Sequence, residues 1–344
     1  MHDRFRKIAK ITLVLVYLVI AAGAIVRMTG SGMGCPDWPK CFGYYIPPTD
    51  ASELQWKADH DYSKGQVIIA DESLWVAQSD FRSTAHYSDD NWMPYTKHDY
   101  AIFNPWHTWI EFINRLFGAL AGLATLVLAF FSFRYWKTQK SVTILSVLTV
   151  FAMGFQAWLG ATVVFSVLEP VKITVHMVMA LIIVAMLLYI VYQTKENSVP
   201  FRHDKSVFLI LVIACCATLA QIILGTQVRQ FVDVQIDTVG ETAKHLWLLR
   251  PPISFYIHRS FSIIVVALYL YAAFRIYKYN LGYPKIKWVL LILLFELISG
   301  MTMYYLNFPF ASQPLHLMLS VLLFGTQFYL VLETLNAKKN LKTL

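Results

Sequence analysis

The strongest constraint on this chain is a series of eight apolar stretches, each close to the length needed to cross a lipid bilayer. About 20 apolar residues span the hydrocarbon layer. The stretches lie at residues 11–28, 108–131, 142–165, 173–193, 206–228, 254–274, 287–305 and 314–334. Backbone groups in lipid must be hydrogen-bonded within their own segment, so each stretch predicts a helix. No small-residue cleavage site follows the first stretch, which we therefore expect to be retained. The predicted fold class is an all-α polytopic membrane protein with eight transmembrane helices.

The basic residues are distributed unevenly among the segments that connect these helices. More than half of the 29 Lys and Arg residues fall near the termini and in alternate short connections. The long segment 43–106 contains only Lys57, Lys64, Arg82 and Lys97, and acidic residues outnumber them. The positive-inside rule then places both termini in the cytoplasm. The net charge of +8 is thus interpreted as a signal of topology, and we predict no nucleic-acid partner.

The chain also repeats itself at a nearly constant spacing. The matched segments are FINRLFGAL at 112 with YIHRSFSII at 256, QAWLGATVV at 156 with ELISGMTMY at 296, and ITVHMVMALII at 173 with QPLHLMLSVLL at 313. Parallel repeats of this kind share one bundle architecture. We predict two pseudo-repeated four-helix bundles, with a first half at residues 1–194 and a second half at residues 195–344. The long outer connection of the first half predicts a folded or partner-facing cap.

Three histidines occupy matching positions of this repeat. His176, His258 and His316 each fall in the first turns of a helix that enters the membrane from the outer side. Asn114 is the repeat partner of His258 and takes the fourth position. A lone histidine at such a depth is more often a packed core residue, but three at one depth favour a shared function. His107, at the border of the second helix, stays open, and the other histidines are assigned no role.

The arrangement of these positions favours haem over zinc. A zinc site usually needs three or four ligands close together. Here each half offers two positions on two helices that face each other, which suits a porphyrin with an imidazole on either side of its iron. We predict a bis-histidine haem between His258 and His316. In the first half His176 lies opposite Asn114, a poor iron ligand, which leaves one face of a bound haem open for chemistry.

One carboxylate belongs to the first half alone. The repeat counterpart of Glu111 is Phe255, and Glu111 shares a helix face with Asn114 at i and i+3. Two interpretations are open for Glu111. It hydrogen-bonds a nearby loop, or it handles protons beside a reactive site. We assign Glu111 and Asn114 to the predicted catalytic site.

Four arginines recur in repeat-related pairs at the same outer level. They are Arg27, Arg115, Arg229 and Arg259. Long basic side chains near helix ends extend to the membrane interface, which explains them without a ligand. Arginine also binds carboxylates through two parallel hydrogen bonds, so the alternative is that they bind haem propionates. Both interpretations stay open.

Two motifs then resemble the haem A synthase family. They are the segment VRMTGSGMGCPDWPKCFG at residues 26–43 and the Glu-x-x-x-Arg core of WIEFINR, followed by one histidine at the outer end of helices four, six and eight. The resemblance extends over essentially the whole chain. It implies an enzyme of two related halves that oxidises the C8 methyl of haem O to a formyl group by successive hydroxylations. It also implies a location in the bacterial inner membrane.

The resemblance further implies which residues carry these functions. Haem b is implied in the second half with His258 and His316 as axial ligands, and haem O as the substrate in the first half at His176. Glu111 is carried over from the motif, as are Cys35 and Cys41. An electron donor, membrane lipid, a haem O synthase and oxidase assembly factors are expected partners. A b-type cytochrome that only carries electrons, and a haem transporter or chaperone without catalysis, are the alternatives.

This chain departs from the family pattern at Asn114, where many members have histidine. Either His176 alone holds the substrate iron, or His107 replaces the missing ligand. Two helical turns separate His107 from Asn114, which is about 10 Å along the axis. That distance favours His176 alone.

The cysteines fall into two pairs. Cys35 and Cys41 lie in the segment predicted to be outside, where disulfides persist. They act either as a structural crosslink of a small loop or as a redox-active pair, and both interpretations stay open. Cys215 and Cys216 lie within the fifth helix and are interpreted as packing residues.

Overall fold

The structure is a computed structural model that describes residues 2–98, 100–195 and 201–342, without the side chains of His2 and residues 338–342. The predicted joint between the halves, at residues 195–205, includes residues 196–200, which lie outside the described residues. Within these ranges, eight helices are long and apolar enough to cross a membrane. They are α1 His2–Met28, α2 Pro105–Ser132, α3 Lys140–Phe165, α4 Pro170–Gln193, α5 Lys205–Val239, α6 Ile253–Lys278, α7 Ile286–Tyr305 and α8 Ser312–Lys342. The predicted fold class is confirmed.

Helix α5 is longer than its apolar stretch. The stretch ends at residue 228, whereas the helix continues to Val239. Its polar extension contains an ion pair of 2.6 Å between Arg229 and Asp233, one helical turn apart. Such pairs stabilise a helix surface. Gly240, with φ of +89°, ends the helix, because glycine adopts this backbone conformation without steric cost. Part of the outer connection predicted for the second half is therefore helical.

Helices α5 to α8 form a closed four-helix bundle. Helix α5 contacts α6, α6 contacts α7, α7 contacts α8, and α8 contacts α5. Two ion pairs join the ends of these helices that carry the short connections. Arg275 binds Asp204 at 2.8 Å, and Lys285 binds the fully buried Glu333 at 2.5 Å. Asp204 also accepts a hydrogen bond of 2.9 Å from the Val207 N–H, which caps the first turn of α5.

The long outer connection folds into a small β-rich cap. Its strands are β1 Asp61–Tyr62, β2 Val67–Ala70, β3 Ser73–Ala77, β4 Phe81–Arg82 and β5 Trp92–Pro94. Strand β1 pairs with β4, and β2, β3 and β5 form a second antiparallel sheet in that order. Tyr62, Ile68 and Trp92 are buried together in the cap. The sequence predicted a folded segment here. It did not predict the strands, because each is too short to produce a clear alternating pattern.

The chain divides into two compact units. One consists of Leu18–Gly122 and Gly154–His176, and the other of Met1–Tyr17, Leu123–Met153 and Met177–Leu344. The cap, Asn114 and His176 belong to the first of these, whereas His258 and His316 belong to the second. The boundaries fall within α1 to α4. The predicted division between residues 194 and 195 rests on the sequence repeat, whereas these units are defined by contacts. The predicted division therefore stays a prediction.

Candidate functional site

His258 and His316 face each other inside the α5–α8 bundle. His258 lies on α6 and His316 on α8, and their ring centroids are 6.4 Å apart with an angle of 76° between the ring planes. Imidazole nitrogens bind first-row metals at about 2 Å. One metal ion fits between two rings at this separation. The sequence predicted that these two residues would meet, and they do.

In each ring, Nδ1 is hydrogen-bonded to an orienting group, and Nε2 is left for a ligand. The Nδ1 of His258 lies 3.2 Å from the carbonyl oxygen of Gln221, which can only accept, so Nδ1 carries the proton. The Nδ1 of His316 lies 2.9 Å from Oγ of Ser299, whose hydroxyl donates to the Glu296 carbonyl at 2.9 Å. Nδ1 of His316 is therefore also the donor. Both Nε2 atoms keep a lone pair, the form in which histidine binds a metal.

A carboxylate, that of Glu296, lies near the second nitrogen of His316. Its Oε1 lies 3.4 Å from Nε2 of His316, longer than the usual N–H···O distance of about 2.7–3.2 Å. The other oxygen, Oε2, is buried without a hydrogen-bond partner among the described residues. This weak contact leaves Nε2 available, so the residues of the bundle fit a haem with two imidazole ligands.

A glycine faces each of the four repeat-related positions. A Cβ added at Gly225 would lie 3.1 Å from Cε1 of His258, and the corresponding distance from Gly300 to His316 is 3.4 Å. In the first half the distance is 3.4 Å from Gly160 to Cε1 of His176, and 3.8 Å from Gly23 to Oδ1 of Asn114. Glycine allows close approach of a helix backbone to a neighbouring group. The absence of a side chain therefore makes room for the residue opposite.

These glycines could have been found from the sequence. Gly160 and Gly300 are 140 residues apart, the offset of the repeat, and both lie within the matched segments. Both glycines were missed because they have no polar side chain.

Asn114 and His176 lie in the outer part of α2 and α4. Oδ1 of Asn114 and Nδ1 of His176 are both buried without a hydrogen-bond partner among the described residues. A buried polar atom without a partner is costly. The backbone carbonyl of His176 accepts a bond of 3.0 Å from Gln156, so the helix is positioned while the imidazole stays uncommitted. These two unsatisfied side chains fit a site whose ligand completes them.

A disulfide closes the loop that follows α1. Cys35 and Cys41 are bonded to each other, and both are buried. The loop backbone lies directly on the start of α2, because a Cβ at Gly34 would come within 2.4 Å of the His107 carbonyl group. The hydroxyl of Thr108 donates a bond of 2.8 Å to the Gly34 carbonyl. The predicted small loop is present, and only glycine fits at its point of contact.

Glu111 and Arg115 hold this loop against α2. Oε2 of Glu111 accepts a bond of 2.8 Å from the Cys35 N–H, and its Oε1 pairs with Arg115. Arg115 donates to the carbonyls of Asp37 at 2.7 Å, Lys40 at 2.9 Å and Cys35 at 3.0 Å. Glu111 is 4% exposed. Of the two interpretations left open for Glu111, hydrogen bonding to a loop describes its contacts.

Asp37 completes the loop from within. Its carboxylate accepts bonds from the Phe42 N–H at 2.5 Å and the Gly43 N–H at 2.8 Å. Burial raises the pKa of Asp37 above its ordinary value, although these N–H donors and Arg115 oppose the shift. Nε2 of His98 lies 2.8 Å from the Pro36 carbonyl. No role was predicted for His98, since nothing in its local sequence indicates this contact.

The other three arginines differ in their surroundings. Arg229 pairs with Asp233, and the guanidinium of Arg259 lies 5.9 Å from the centre of the Tyr304 ring. Arg27 is partly buried at the last turn of α1. The binding of haem propionates by Arg27, Arg115, Arg229 and Arg259 stays a prediction. For Arg115 the existing bonds to the loop leave little donor capacity.

Most of the chain matches one protein-family model. The family, COX15-CtaA, is described as cytochrome oxidase assembly protein, and its model matches residues 6–74 and 62–328. The chain belongs to the COX15-CtaA family. The histidine pair, the repeated positions and the disulfide loop described above all lie within the matched part of this family member.

Several relatives of this COX15-CtaA protein carry the name Heme A synthase. One from Shewanella oneidensis is 27% identical over 63% of this chain and 54% of its own length. One from Wolbachia pipientis is 22% identical over 92% of this chain and 88% of its own. One from Bacillus cereus is 21% identical over 99% and 96%, respectively. The match thus spans about half of the Shewanella relative but nearly all of the other two.

Proposed function

We propose that this chain is a haem A synthase, an oxidoreductase that converts the C8 methyl of haem O to a formyl group. Family membership and the name shared by its relatives support this function. The observation that carries it is the facing pair of His258 and His316, together with a second, unsatisfied pair, Asn114 and His176, at the matching positions of the repeat.

In the second half, the residues suit a resident haem b. When bound, such a haem supplies one-electron transfer. His258 and His316 would hold its iron. The Gln221 carbonyl and the Ser299 hydroxyl fix the orientation of each ring and keep Nε2 deprotonated. Gly225 and Gly300 leave the space that the rings occupy.

In the first half, the substrate haem O would be held at His176 alone. Asn114 is a poor ligand for iron, so its side of the porphyrin stays open. The backbone of His107 lies against Gly34, and we propose no ligand role for it. Conversion of a methyl to a formyl group removes four electrons, by two successive hydroxylations followed by loss of water. The electron donor and the oxygen source are further partners.

Two roles are proposed for Glu111 at this site, positioning of the loop and transfer of protons. It positions the disulfide loop through the Cys35 N–H and Arg115. A direct role in moving protons near the methyl group requires one of these bonds to open, because both carboxylate oxygens are engaged. Substitution by Gln keeps the shape but removes the charge and replaces one acceptor oxygen by a donor, so it weakens both roles, which differ in the kinetic constant that changes. A positioning role predicts a raised KM, and a proton-transfer role predicts a lowered kcat.

The location proposed for the chain is the bacterial inner membrane, with both termini in the cytoplasm. The charge asymmetry of the connecting segments supports this orientation. It places the disulfide loop and the β-rich cap outside, where the bond between Cys35 and Cys41 is stable. Membrane lipid, a haem O synthase and oxidase assembly factors remain the proposed partners.

The test is co-expression of the full chain with a source of haem O in cells that lack haem A. Extracted haems are separated by chromatography. A haem A synthase yields haem A, a b-type cytochrome yields a coloured protein without haem A, and a haem transporter returns haem O unchanged. Absence of haem A from a preparation that retains its resident haem would overturn the proposed activity.

A matched pair of variants gives the control. His176→Ala removes the proposed substrate ligand and is expected to stop haem A formation. His245→Ala changes a histidine in the outer connection between α5 and α6, to which no ligand role is given, and is expected to preserve it. Equal loss of haem A in both variants would mean that His176 is not the substrate ligand.

A further inference from the structure

A cavity of about 630 Å³ opens between four helices at the end of the molecule that carries the short basic connections. Its volume lies within the usual range for small-molecule sites, about 300–1,000 Å³. Helices α1, α4, α7 and α8 contribute its walls, and it lies wholly within the compact unit that contains the α5–α8 bundle. The histidine sites described above do not include any of its residues.

The walls of this cavity are apolar. Leu188, Ile292 and Leu322 line it. At Gly325 a Cβ would lie 2.2 Å from the Tyr17 hydroxyl and 3.4 Å from Leu188. The small residue lets Tyr17 lie against α8 and shapes one side of the cavity. An occupant of these walls therefore carries hydrocarbon.

The cavity also has a basic end. Lys285 and Lys287 line it, and Arg6 lies beside Tyr329, another lining residue. Lys285 also lies 5.1 Å from the Tyr329 ring. The buried carboxylate of Glu333 pairs with Lys285. Three basic side chains thus meet one acidic side chain at this end, which leaves a net positive charge.

The aromatic residues of the cavity are of the types found at the membrane–water interface. Trp288 lines it and is 54% exposed, and tyrosine and tryptophan side chains favour the depth of the lipid headgroups. The neighbouring connection between α6 and α7 is one of the segments whose basic residues predict the cytoplasmic side. Basic pockets between transmembrane helices on that side bind anionic headgroups.

We propose that this cavity is a binding site for one anionic phospholipid of the inner leaflet. The headgroup phosphate pairs with Lys287 and Arg6, and an acyl chain lies along the apolar walls. Charge complementarity and the apolar lining select this occupant over a zwitterionic lipid. The inference does not depend on the proposed oxidation of haem O.

The test is native mass spectrometry of the full chain in mild detergent, titrated separately with phosphatidylglycerol and phosphatidylcholine. We expect one phosphatidylglycerol to bind the unaltered chain more tightly than phosphatidylcholine. Each basic residue removed lowers affinity for phosphatidylglycerol by about fivefold. Lys287→Gln should therefore weaken binding about fivefold, and Arg6→Gln with Lys287→Gln roughly 25-fold, with little change for phosphatidylcholine.

Two further variants make the result decisive. Lys137→Gln removes an exposed lysine outside the cavity and should bind as the unaltered chain does. Thr326→Trp places a bulky group in the cavity and should weaken both lipids. Equal affinity for the two lipids, or equal losses in Lys137→Gln and Lys287→Gln, would overturn the proposal. Thermal unfolding of each preparation reports its folding, and its haem absorption reports the proposed haem site.

Discussion

The two halves place polar side chains at matching positions of one repeat, but they surround them differently. In the second half, His258 and His316 face each other, and each Nδ1 is hydrogen-bonded to an orienting group. In the first half, Asn114 and His176 each keep a buried polar atom without a partner among the described residues. The first half also has a disulfide loop held by Glu111, for which the second half has Phe255.

This difference indicates how one scaffold supports two roles. A ring whose proton is fixed by a backbone carbonyl or a hydroxyl is preorganised for a permanent ligand. A side chain without a partner is satisfied only when a ligand arrives. On the proposed function, the second half would retain its haem, whereas the first half would exchange its substrate beside a crosslinked loop.

The largest expected effect is a loss of bound haem when a proposed ligand of the second half is replaced. Substitution of His258 or His316 by Ala should lower the ratio of bound haem to protein by more than about tenfold, since loss of an orienting partner alone typically costs about 10–100-fold in metal affinity. His176→Ala should leave this ratio unchanged. The absorption spectrum of each purified variant measures it. Full haem retention in His258→Ala would break the comparison.

The second effect concerns the loop of the first half. Glu111→Ala leaves the partly buried Arg115 without its carboxylate partner, and because Arg115 keeps three carbonyl acceptors the cost should lie below the roughly 3–5 kcal/mol of a fully buried pair. Hydrogen exchange at the amides of residues 34–43 should increase, while the second half stays protected. Glu169→Ala is the matched control, since Glu169 pairs with Lys172 at an exposed position, and such pairs contribute at most about 1 kcal/mol. Unchanged exchange in Glu111→Ala would show that the disulfide holds the loop by itself.

The third effect compares the glycines that face the repeat positions. Gly225→Ala brings a methyl group to 3.1 Å from the His258 ring, and overpacking of this kind costs about 1–3 kcal/mol. Gly23→Ala meets its neighbour at 3.8 Å, an ordinary contact, and gains up to about 1 kcal/mol of helix propensity. Thermal unfolding of both variants, together with the haem content of Gly225→Ala, tests this order. A lower unfolding temperature for Gly23→Ala than for Gly225→Ala would contradict it.

The smallest expected effect is a different response of local stability to pH in the two halves. Burial raises the pKa of Asp37 in the loop, so its contribution to stability is present below about pH 4 and is lost as the pH rises through the folded-state pKa. Asp204 behaves in the opposite way. Burial raises its pKa, but Arg275 and the Val207 N–H lower it more, so its contribution is lost as the pH falls through its lowered folded-state pKa.

Acidification from neutral pH should therefore loosen the start of α5 without loosening the loop. Hydrogen exchange at residues 34–43 and at the first turn of α5, followed between pH 7 and pH 3, measures both. Asp204→Asn should remove the pH dependence at α5, and Asp37→Asn should remove it at the loop. Loosening of both regions at the same pH would mean that other groups dominate.

The sequence predicted the elements whose signals are local. The eight helices follow from apolar length, and the four repeat positions follow from an offset that can be read without coordinates. The meeting of His258 with His316 could also be predicted, because equal depth on helices of one bundle brings their side chains together. The extension of α5 to Val239 and the strands of the cap were missed, because polar helices and very short strands produce weak patterns.

The amino-acid sequence by itself thus determined the membrane class, the repeat and the positions of the histidines that we propose as haem ligands. Only the tertiary structure decided which groups those residues contact. Cys35 and Glu111 are 76 positions apart in the chain, the pairs that join Arg115 to the loop are 75 to 80 apart, and nothing in local composition encodes that they touch. The helices are specified by how each segment interacts with lipid, whereas the site depends on hydrogen bonds between segments, which exist only after the chain has folded.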